Sequence, residues 1–366
     1  MRTCRTLALS LAVALAAACS GRAATAPPAS PAPAAACTFT NPVAPGADPW
    51  VVRHAGSYYL VQAREGEIFV SRAPTLTGAA AGRGGMRVWA APDTGWNQAS
   101  VWAPELHRIG GRWYIYYAAG RPGPADAPFI HQRVGVLESA GDDPQGRYVD
   151  RGMLYTGDDV ATGADPKWAI DLTMHVIGGQ RYAVWSGWER NATAARTPQH
   201  LYAARMANPW TISSNRVRIS SPDAPWERRV DPVDGLDLQE GPEFLEHAGQ
   251  LFIVYSTRES WLPAYRLGQL RLRRPGADPL DPASYEKTGP VFASGNGVVG
   301  VGHNGFTLSP DGTEHWMLYH AKVDTTPGWK RVIRMQRFGW KADGSPDFGS
   351  PLPSGQPARV PSGECR

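Results

Sequence analysis

The stretch Arg112-Trp113-Tyr114-Ile115-Tyr116-Tyr117 is a run of aromatic and β-branched residues that follows two glycines at positions 110 and 111. Such a run after a glycine turn is typical of a buried β-strand. Four similar runs occur in the chain, at residues 57–61, 181–185, 251–255 and 315–319. Successive aromatic markers in the five runs, Tyr58, Trp113, Tyr182, Phe252 and Trp316, lie 55, 69, 70 and 64 residues apart. These intervals suit one four-stranded blade per repeat, so we predict an all-β fold, a five-bladed β-propeller.

The composition agrees with an all-β chain. Helical periodicity is weak, and 40 Gly with 33 Pro supply the many turns that short strands need. All 14 tryptophans come after Cys37. That density is typical of a β-rich core or of a site that stacks sugar rings.

One polar residue stands at a similar distance before each marker, in a segment that is otherwise apolar or marked by Pro and Gly. The five are Asp48, Glu105, Asp171, Glu240 and His303, and they precede their markers by 10, 8, 11, 12 and 13 residues. If each belongs to the innermost strand of its blade, all five meet on the propeller axis. Four carboxyl groups and an imidazole crowded together shift one another's pKa values, which is costly without a function. We therefore predict a functional site on the axis.

The N-terminal residues predict export. Arg2 and Arg5 form a positive start, and the apolar run at residues 7–18 is too short to span a bilayer, so residues 1–18 are interpreted as a signal peptide. The letters Ala-Ala-Ala-Cys-Ser around Cys19 resemble a bacterial lipobox, and lipidation of Cys19 and ordinary cleavage both stay open. Residues 19–36 are mostly Ala and Pro, as in a semi-rigid linker. We expect an extracellular, periplasmic or surface-anchored protein in which residues 37–366 form one β-propeller domain.

The cysteines predict one disulfide bond. Cys4 leaves with the signal peptide, and Cys19 is either lipidated or lost, so that Cys37 and Cys365 remain at the two ends of the globular part. In an oxidising compartment two such cysteines are expected to pair. Their wide spacing gives no zinc signature.

The charge balance excludes some partners. The chain has 37 Lys plus Arg and 33 Asp plus Glu, and three of the arginines precede Cys37, which leaves a formal net charge of +1 after it. This near neutrality argues against nucleic acid or an anionic membrane as the main partner. We expect a monomer that meets a membrane only through a lipid anchor.

The five axial residues stand in a recognisable set of motifs. These are, in chain order, Ala47-Asp48-Pro49-Trp50-Val51, Trp102-Ala103-Pro104-Glu105-Leu106-His107, Ala169-Ile170-Asp171, Glu240-Gly241-Pro242 and Gly302-His303-Asn304. The ordered set resembles the blade signatures of glycoside hydrolase family 43, most nearly those of exo-acting α-L-arabinofuranosidases. The resemblance implies an enzyme that releases terminal arabinofuranosyl groups from arabinose-containing plant polysaccharides or oligosaccharides, with inversion of configuration.

The same resemblance assigns catalytic roles to three carboxyl groups. It makes Asp48 the general base, Glu240 the general acid, and Asp171 the residue that raises the pKa of Glu240 and orients it. Glycoside hydrolysis needs such a pair of carboxyl groups, one protonated and one ionised. Taken alone, Asp48-Pro49 reads as a turn, since Asp-Pro recurs five more times in the chain. Its place in the fivefold register favours the catalytic role.

The remaining candidates are expected to bind substrate: Trp102, Glu105, His303 and Arg334. Trp102 offers a stacking surface, Glu105 either bonds substrate or holds its blade, and Arg334 is expected to grip a sugar hydroxyl. The resemblance implies no cofactor for the chemistry and places at most one calcium or similar cation near His303, held mostly by water and oxygen ligands.

Two alternatives remain for the function. β-Xylosidases and endo-arabinanases share this fold and these acids, and the loops that decide between a pocket and a groove are not predictable here. The segment at residues 228–237 is longer than expected, and Val301 and Gly305 replace an expected Pro and Ser, which bears on substrate preference. A non-catalytic sugar-binding propeller is the second alternative, although such a protein is expected to lack at least one of Asp48, Asp171 and Glu240.

Overall fold

The computed structural model describes residues 37–192, 197–229 and 235–365. The predicted signal peptide, the linker and Cys19 lie outside these ranges, as does part of the long segment before Glu240. The described residues contain a short α-helix, Leu76–Ala80, and a 3-10 helix, Pro282–Ser284. All other regular secondary structure in the described residues is β-strand.

The strands of the described ranges are numbered here in chain order. They are β1 Thr38–Thr40, β2 Ala44–Pro45, β3 Trp50–His54, β4 Ser57–Arg64, β5 Glu67–Ala73, β6 Met86–Ala90, β7 Ala99–Ile109, β8 Arg112–Gly120, β9 Arg133–Ser139, β10 Tyr148–Met153, β11 Ala169–Ile177, β12 Gln180–Gly187, β13 His200–Asn208, β14 Thr211–Ile212, β15 Val217–Ser220, β16 Gln239–His247, β17 Gln250–Thr257, β18 Arg266–Leu272, β19 Tyr285–Phe292, β20 Val299–Leu308, β21 His315–Lys322, β22 Arg331–Trp340, β23 Pro346–Asp347 and β24 Pro357–Arg359.

The strands of the described part form five antiparallel blades. The first four contain β3 to β6, β7 to β10, β11 to β14 and β16 to β19, and the fifth contains β20, β21, β22 and β2. Strands β15 and β23 extend the third and fifth blades. Strands β3, β7, β11, β16 and β20 contact one another in a closed ring, so they are the innermost strands. The predicted five-bladed β-propeller is confirmed.

The aromatic runs of the sequence occupy the second strand of each blade, namely β4, β8, β12, β17 and β21. In β8 every residue after Arg112 is buried, because neighbouring blades cover both faces of the strand. Trp113 and Ile115, for example, pack with Tyr59 and Val70 of the first blade. Burying one such large side chain contributes about 1.5 to 3 kcal/mol, so the interfaces between blades stabilise the ring.

The two ends of the described chain close the ring. Strand β2 pairs with β22, which puts an N-terminal strand into the last blade, and β1 pairs with β24. A disulfide bond joins Cys37 to Cys365, which are 328 residues apart in sequence, as the cysteine positions predicted. No helix within the described ranges is long and apolar enough to cross a membrane.

Candidate active site

Four of the five predicted axial residues, all but Asp48, lie at matching irregularities of the innermost strands. The pairing of the first two strands shifts register between Trp102 and Glu105 in the second blade, Ile170 and Thr173 in the third, Glu240 and Glu243 in the fourth, and Gly302 and Gly305 in the fifth. Such bulges re-aim side chains and are frequent beside active sites. In these four blades the bulge therefore turns a polar residue out of the regular alternation, whereas Asp48 lies two residues before β3, whose pairing with β4 has no such shift.

Three of the five predicted axial residues have a left-handed backbone conformation. Asp48, Asp171 and His303 have φ angles of 49°, 54° and 48°, in the left-handed region that residues with a Cβ rarely occupy. Each costs about 1 to 3 kcal/mol, and strain of this kind clusters at functional sites. Gly241 has a φ of 52°, and a Cβ there would lie 3.1 Å from the His303 ring. Position 241 therefore suits glycine for both conformation and space.

Asp48 is surrounded by nitrogen atoms that favour its ionised form. Its Oδ1 lies 3.2 Å from Nη1 of Arg331, 3.3 Å from Nδ1 of His303 and 3.0 Å from Nδ1 of His320. Burial acts to raise the pKa of Asp48, but Arg331, His303 and His320 outweigh it and hold that pKa well below its usual value. These contacts favour the ionised form of Asp48.

In contrast to Asp48, Asp171 and Glu240 have pKa values that are raised above their usual ones. The backbone N–H of Gly241 donates to Oδ2 of Asp171 at 3.0 Å, which ties Asp171 to the strand that carries Glu240. Burial, assisted by the charge of Asp48, raises the pKa of Asp171 to about 6. Burial, assisted by Asp171, raises the pKa of Glu240 well above its usual value. A proton on Glu240 beside an ionised Asp48 is the charge pattern of an acid and base pair.

Two aromatic residues that the sequence did not single out border these acids. The hydroxyl of Tyr265 donates to Oε1 of Glu240 at 2.8 Å. The Tyr265 ring lies parallel to that of His320, with the ring centroids 5.3 Å apart and an interplanar angle of 4°. Both side chains are fully buried.

Glu105 belongs to a second buried cluster beside the first. Its Oε2 lies 2.9 Å from Nε2 of His107, and Glu243, which the sequence reasoning missed, accepts a hydrogen bond from Nε1 of Trp50 at 2.9 Å. Burial raises the pKa of Glu243 to about 8, and burial with the nearby Glu243 raises that of Glu105 well above its usual value. Burial lowers the pKa of His107 to about 3. Glu105 is 3% exposed, a burial similar to that of Asp171 and Glu240, and both of its predicted roles stay predictions.

The structure corrects the choice of arginine. Arg334 is 2% exposed, and its guanidinium donates to the Leu352 carbonyl and the Ser354 hydroxyl, so it holds the C-terminal segment and is not placed to grip a sugar. The arginine beside Asp48 is Arg331, at the start of the same strand. Strand alternation had grouped Arg334 with Gln336 correctly, since both side chains donate to the C-terminal segment.

Aromatic side chains lie near the cluster. Trp102 is half-buried and packs edge-on against the exposed ring of Phe129, with the centroids 4.6 Å apart. Trp329 is 60% exposed, and the guanidinium carbon of Arg331 lies 5.4 Å from its ring centroid. Since Arg331 also contacts Asp48, Trp329 offers an exposed ring close to the proposed base.

The side chains around His303 offer few direct ligands for the predicted cation. Within the described ranges, no three His, Cys, Asp or Glu side chains are grouped so that they could hold a metal ion. The side chain of Asn304, next to His303, is buried and has no protein partner for its oxygen or nitrogen. This set fits a cation held largely through water and does not fit one ligated directly by several side chains.

Comparison with known proteins adds a family and named relatives. The family described as "Glycosyl hydrolases family 43" matches residues 39–346. An "Extracellular exo-alpha-(1->5)-L-arabinofuranosidase" of Streptomyces avermitilis is 36% identical over 90% of this chain and 66% of its own length. A protein of the same name from Streptomyces chartreusis is 34% identical over 78% and 82% of the two chains.

A solved structure also matches. The crystal structure of an alpha-L-arabinofuranosidase from Lactobacillus brevis has a TM-score of 0.76 and 29% identity, covering 87% of this chain and 98% of its own. The chain spans a little under two thirds of the length of the Streptomyces avermitilis relative. The matched part of that relative therefore does not account for the whole of it.

Proposed function

The chain belongs to glycosyl hydrolase family 43, and we propose that it releases terminal α-L-arabinofuranosyl groups from arabinan or arabino-oligosaccharides with inversion at the anomeric carbon. The observation that carries this proposal is the opposite proton affinity of two carboxyl groups on one axis. Asp48 is held ionised by Arg331 and two histidines, whereas Glu240 is buried beside Asp171 and retains its proton. One group is then ready to accept a proton and the other to donate one.

The proposed reaction is a single displacement. Glu240 gives its proton to the glycosidic oxygen as the bond from that oxygen to the anomeric carbon breaks. A water molecule attacks the same carbon from the opposite face and loses a proton to Asp48. The sugar leaves with inverted configuration, and we expect the two carboxyl groups to be about 6.5 to 9.5 Å apart to admit that water.

Asp171 is proposed to tune the acid. With a pKa of about 6, it is largely ionised near neutral pH, and its charge disfavours ionisation of Glu240. Its hydrogen bond from the Gly241 N–H also fixes the backbone next to Glu240. Both effects support the role that the family resemblance implied.

Arabinose specificity is supported by the names of the relatives, which are exo-acting arabinofuranosidases. We propose that Trp102 and Trp329 contact the substrate, since half-exposed indole rings stack on sugar faces. His303 is proposed to border the sugar from its place beside Asp48. The alternatives are β-xylosidase and endo-arabinanase activity, and the assay described below distinguishes them from exo-arabinofuranosidase activity.

We propose that no cofactor takes part in the chemistry and that one hydrated cation near His303 stabilises the axis. The unpartnered oxygen of Asn304 supports an oxygen ligand there. Dialysis against a chelator should then lower the melting temperature, and added Ca²⁺ should restore it, with kcat/KM nearly unchanged. An unchanged melting temperature would dismiss the cation.

Export is proposed on the N-terminal sequence and on the extracellular names of two relatives. A lipid on Cys19 and a monomeric state are further proposals. Mass spectrometry of the mature N-terminus tests the first, and light scattering tests the second.

One assay tests the activity. The purified protein is incubated separately with aryl α-L-arabinofuranoside, aryl β-D-xyloside and linear arabinan, and the products are separated. We expect turnover of the arabinofuranoside and free arabinose as the first product from arabinan. Exclusive release of oligosaccharides would indicate endo action, faster xyloside cleavage would indicate a β-xylosidase, and no turnover at all would favour a sugar-binding protein.

A further inference from the structure

We propose that Tyr265 is a positioning residue that sets the acid and the base of the site relative to each other. Its hydroxyl holds Glu240, and its ring supports His320, which contacts Asp48. The inference rests on the proposed function, because it assigns Glu240 and Asp48 as acid and base. It goes beyond that function by naming how their geometry is maintained.

The hydroxyl of Tyr265 determines where the proton of Glu240 resides. Oε1 of Glu240 accepts the tyrosine O–H at 2.8 Å. In a neutral carboxyl group the carbonyl oxygen is the stronger acceptor, so this bond favours the proton on Oε2. Burial raises the pKa of Tyr265 far above its usual value, so the phenol remains a donor at every relevant pH.

A short relay orients the phenol itself. The backbone N–H of His303 donates to the Ser256 hydroxyl at 2.7 Å, and the Ser256 hydroxyl in turn bonds to Tyr265. With its oxygen accepting from Ser256, the Tyr265 hydroxyl points its own hydrogen at Glu240. The backbone N–H of His303, in β20, therefore fixes the donor and acceptor of each hydrogen bond in this relay.

The ring of Tyr265 acts on the base side. Burial lowers the pKa of His320 to about 4, so the imidazole is neutral and has one N–H. Its Nε2 has no partner among the described residues, while Nδ1 lies 3.0 Å from Oδ1 of Asp48. The backbone N–H of Asp48 also donates to Nδ1, at 3.2 Å, so both contacts of this nitrogen go to Asp48 and the position of the imidazole is tied to that of the base. The stacked Tyr265 ring holds the imidazole in place for these contacts with Asp48.

Neighbouring residues pack closely around the Tyr265 ring. A Cβ at Gly302 would lie 2.4 Å from Cε1 of Tyr265, so a side chain at position 302 would displace the ring. Tyr265 precedes β18 of the fourth blade, His320 is in β21 of the fifth, and Asp48 precedes β3 of the first. One aromatic ring thus links groups from three blades.

The test compares Tyr265→Phe with Tyr255→Phe. Tyr255 is equally buried and donates to a glutamate, Glu227, at the same 2.8 Å, but that glutamate lies outside the site. Tyr265→Phe keeps the stacked ring and loses only the hydroxyl. We expect kcat/KM for arabino-oligosaccharides to fall at least tenfold and that for dinitrophenyl arabinofuranoside to fall less than threefold, because a good leaving group needs little protonation.

The pH profile gives the second readout. A donated hydrogen bond stabilises the ionised form of Glu240, so its removal raises the pKa of that acid. The basic limb for Tyr265→Phe should move to higher pH, whereas Tyr255→Phe should lower the melting temperature and leave the pH profile in place. Tyr265→Leu, checked for folding by circular dichroism, should additionally slow the dinitrophenyl substrate, since His320 then loses its support.

The outcomes separate this inference from the proposed function. If Tyr265→Phe matches Tyr255→Phe in leaving-group dependence and pH profile, the positioning role is rejected. If the wild-type protein hydrolyses no arabinofuranoside, the proposed function fails instead. Infrared titration of the buried carboxyl groups then still measures whether Tyr265→Phe raises the pKa of Glu240, and no rise would reject the role of Tyr265 independently of activity.

Discussion

Arg331 donates to Asp48 across the closure of the ring, with Nη1 3.2 Å from Oδ1. Asp48 precedes the innermost strand of the first blade, and Arg331 begins the third strand of the last blade. The closure that joins the chain ends therefore also assembles the group that keeps the proposed base ionised.

Replacing this arginine should disturb the base. In Arg331→Met the pKa of Asp48 should rise, because the positive charge that lowers this pKa most is removed. The base works only when ionised, so the acidic limb of the kcat/KM profile should move to higher pH. Arg334→Met is the matched control: it removes bonds to the C-terminal segment and should lower the melting temperature without moving that limb. A shift of the limb in Arg334→Met alone would reverse the assignment.

Glu240 and Asp171 should differ in their dependence on the leaving group. Glu240→Ala should nearly abolish action on arabino-oligosaccharides, a loss of about 10² to 10⁴-fold, yet retain turnover of dinitrophenyl arabinofuranoside. Asp171→Asn removes a negative charge, so the pKa of Glu240 falls and the basic limb moves to lower pH. Asp48→Ala should impair both substrates alike. The reverse pattern for Glu240 and Asp171 would mean that the acid and its modulator have been exchanged.

Glu243 should make stability depend on pH. Its pKa is about 8 in the folded protein against a usual 4.5, so the folded state holds its proton while the unfolded state releases it. The contribution is fully present below about pH 4.5 and is lost as pH rises toward 8. Glu243→Gln should therefore flatten the fall in unfolding free energy over that window, as measured by urea titration at several pH values. A parallel curve displaced by a constant amount would argue against titration of Glu243.

Trp329 should matter for longer substrates. Its 60% exposed ring beside Arg331 is suited to stacking on a sugar. Trp329→Ala should raise KM for arabino-oligosaccharides about five-fold or more, the loss of roughly 1 kcal/mol of stacking. Trp210→Ala is the control, since Trp210 is also exposed but packs on Tyr114 of the second blade. Equal KM values for the two variants would remove Trp329 from the substrate site.

The repeat explains what the sequence predicted and what it missed. Asp48, Asp171, Glu240 and His303 were found because each recurs at a similar distance before an aromatic strand, and that spacing survives differences in loop length. Glu243 was missed because strict alternation puts residues 240 and 243 on opposite faces, whereas a bulge between them changes the register.

The arginine and the aromatic partners needed the structure. Strand β22 is buried on both faces, so its pattern does not tell whether Arg331 or Arg334 faces the axis. Tyr265 stands at the end of a loop between strands, where no periodicity applies. Its role depends on contacts with Glu240 and His320, which are 25 and 55 residues away in the chain.

The configuration of the first sugar released tests the central claim most directly. Proton NMR recorded within the first minutes of arabino-oligosaccharide hydrolysis distinguishes the two anomers before they interconvert. Direct attack by water, with Asp48 as base and Glu240 as acid, predicts that β-L-arabinofuranose appears first. Initial release of the α-anomer, or a trapped ester between the sugar and Asp48, would contradict the account.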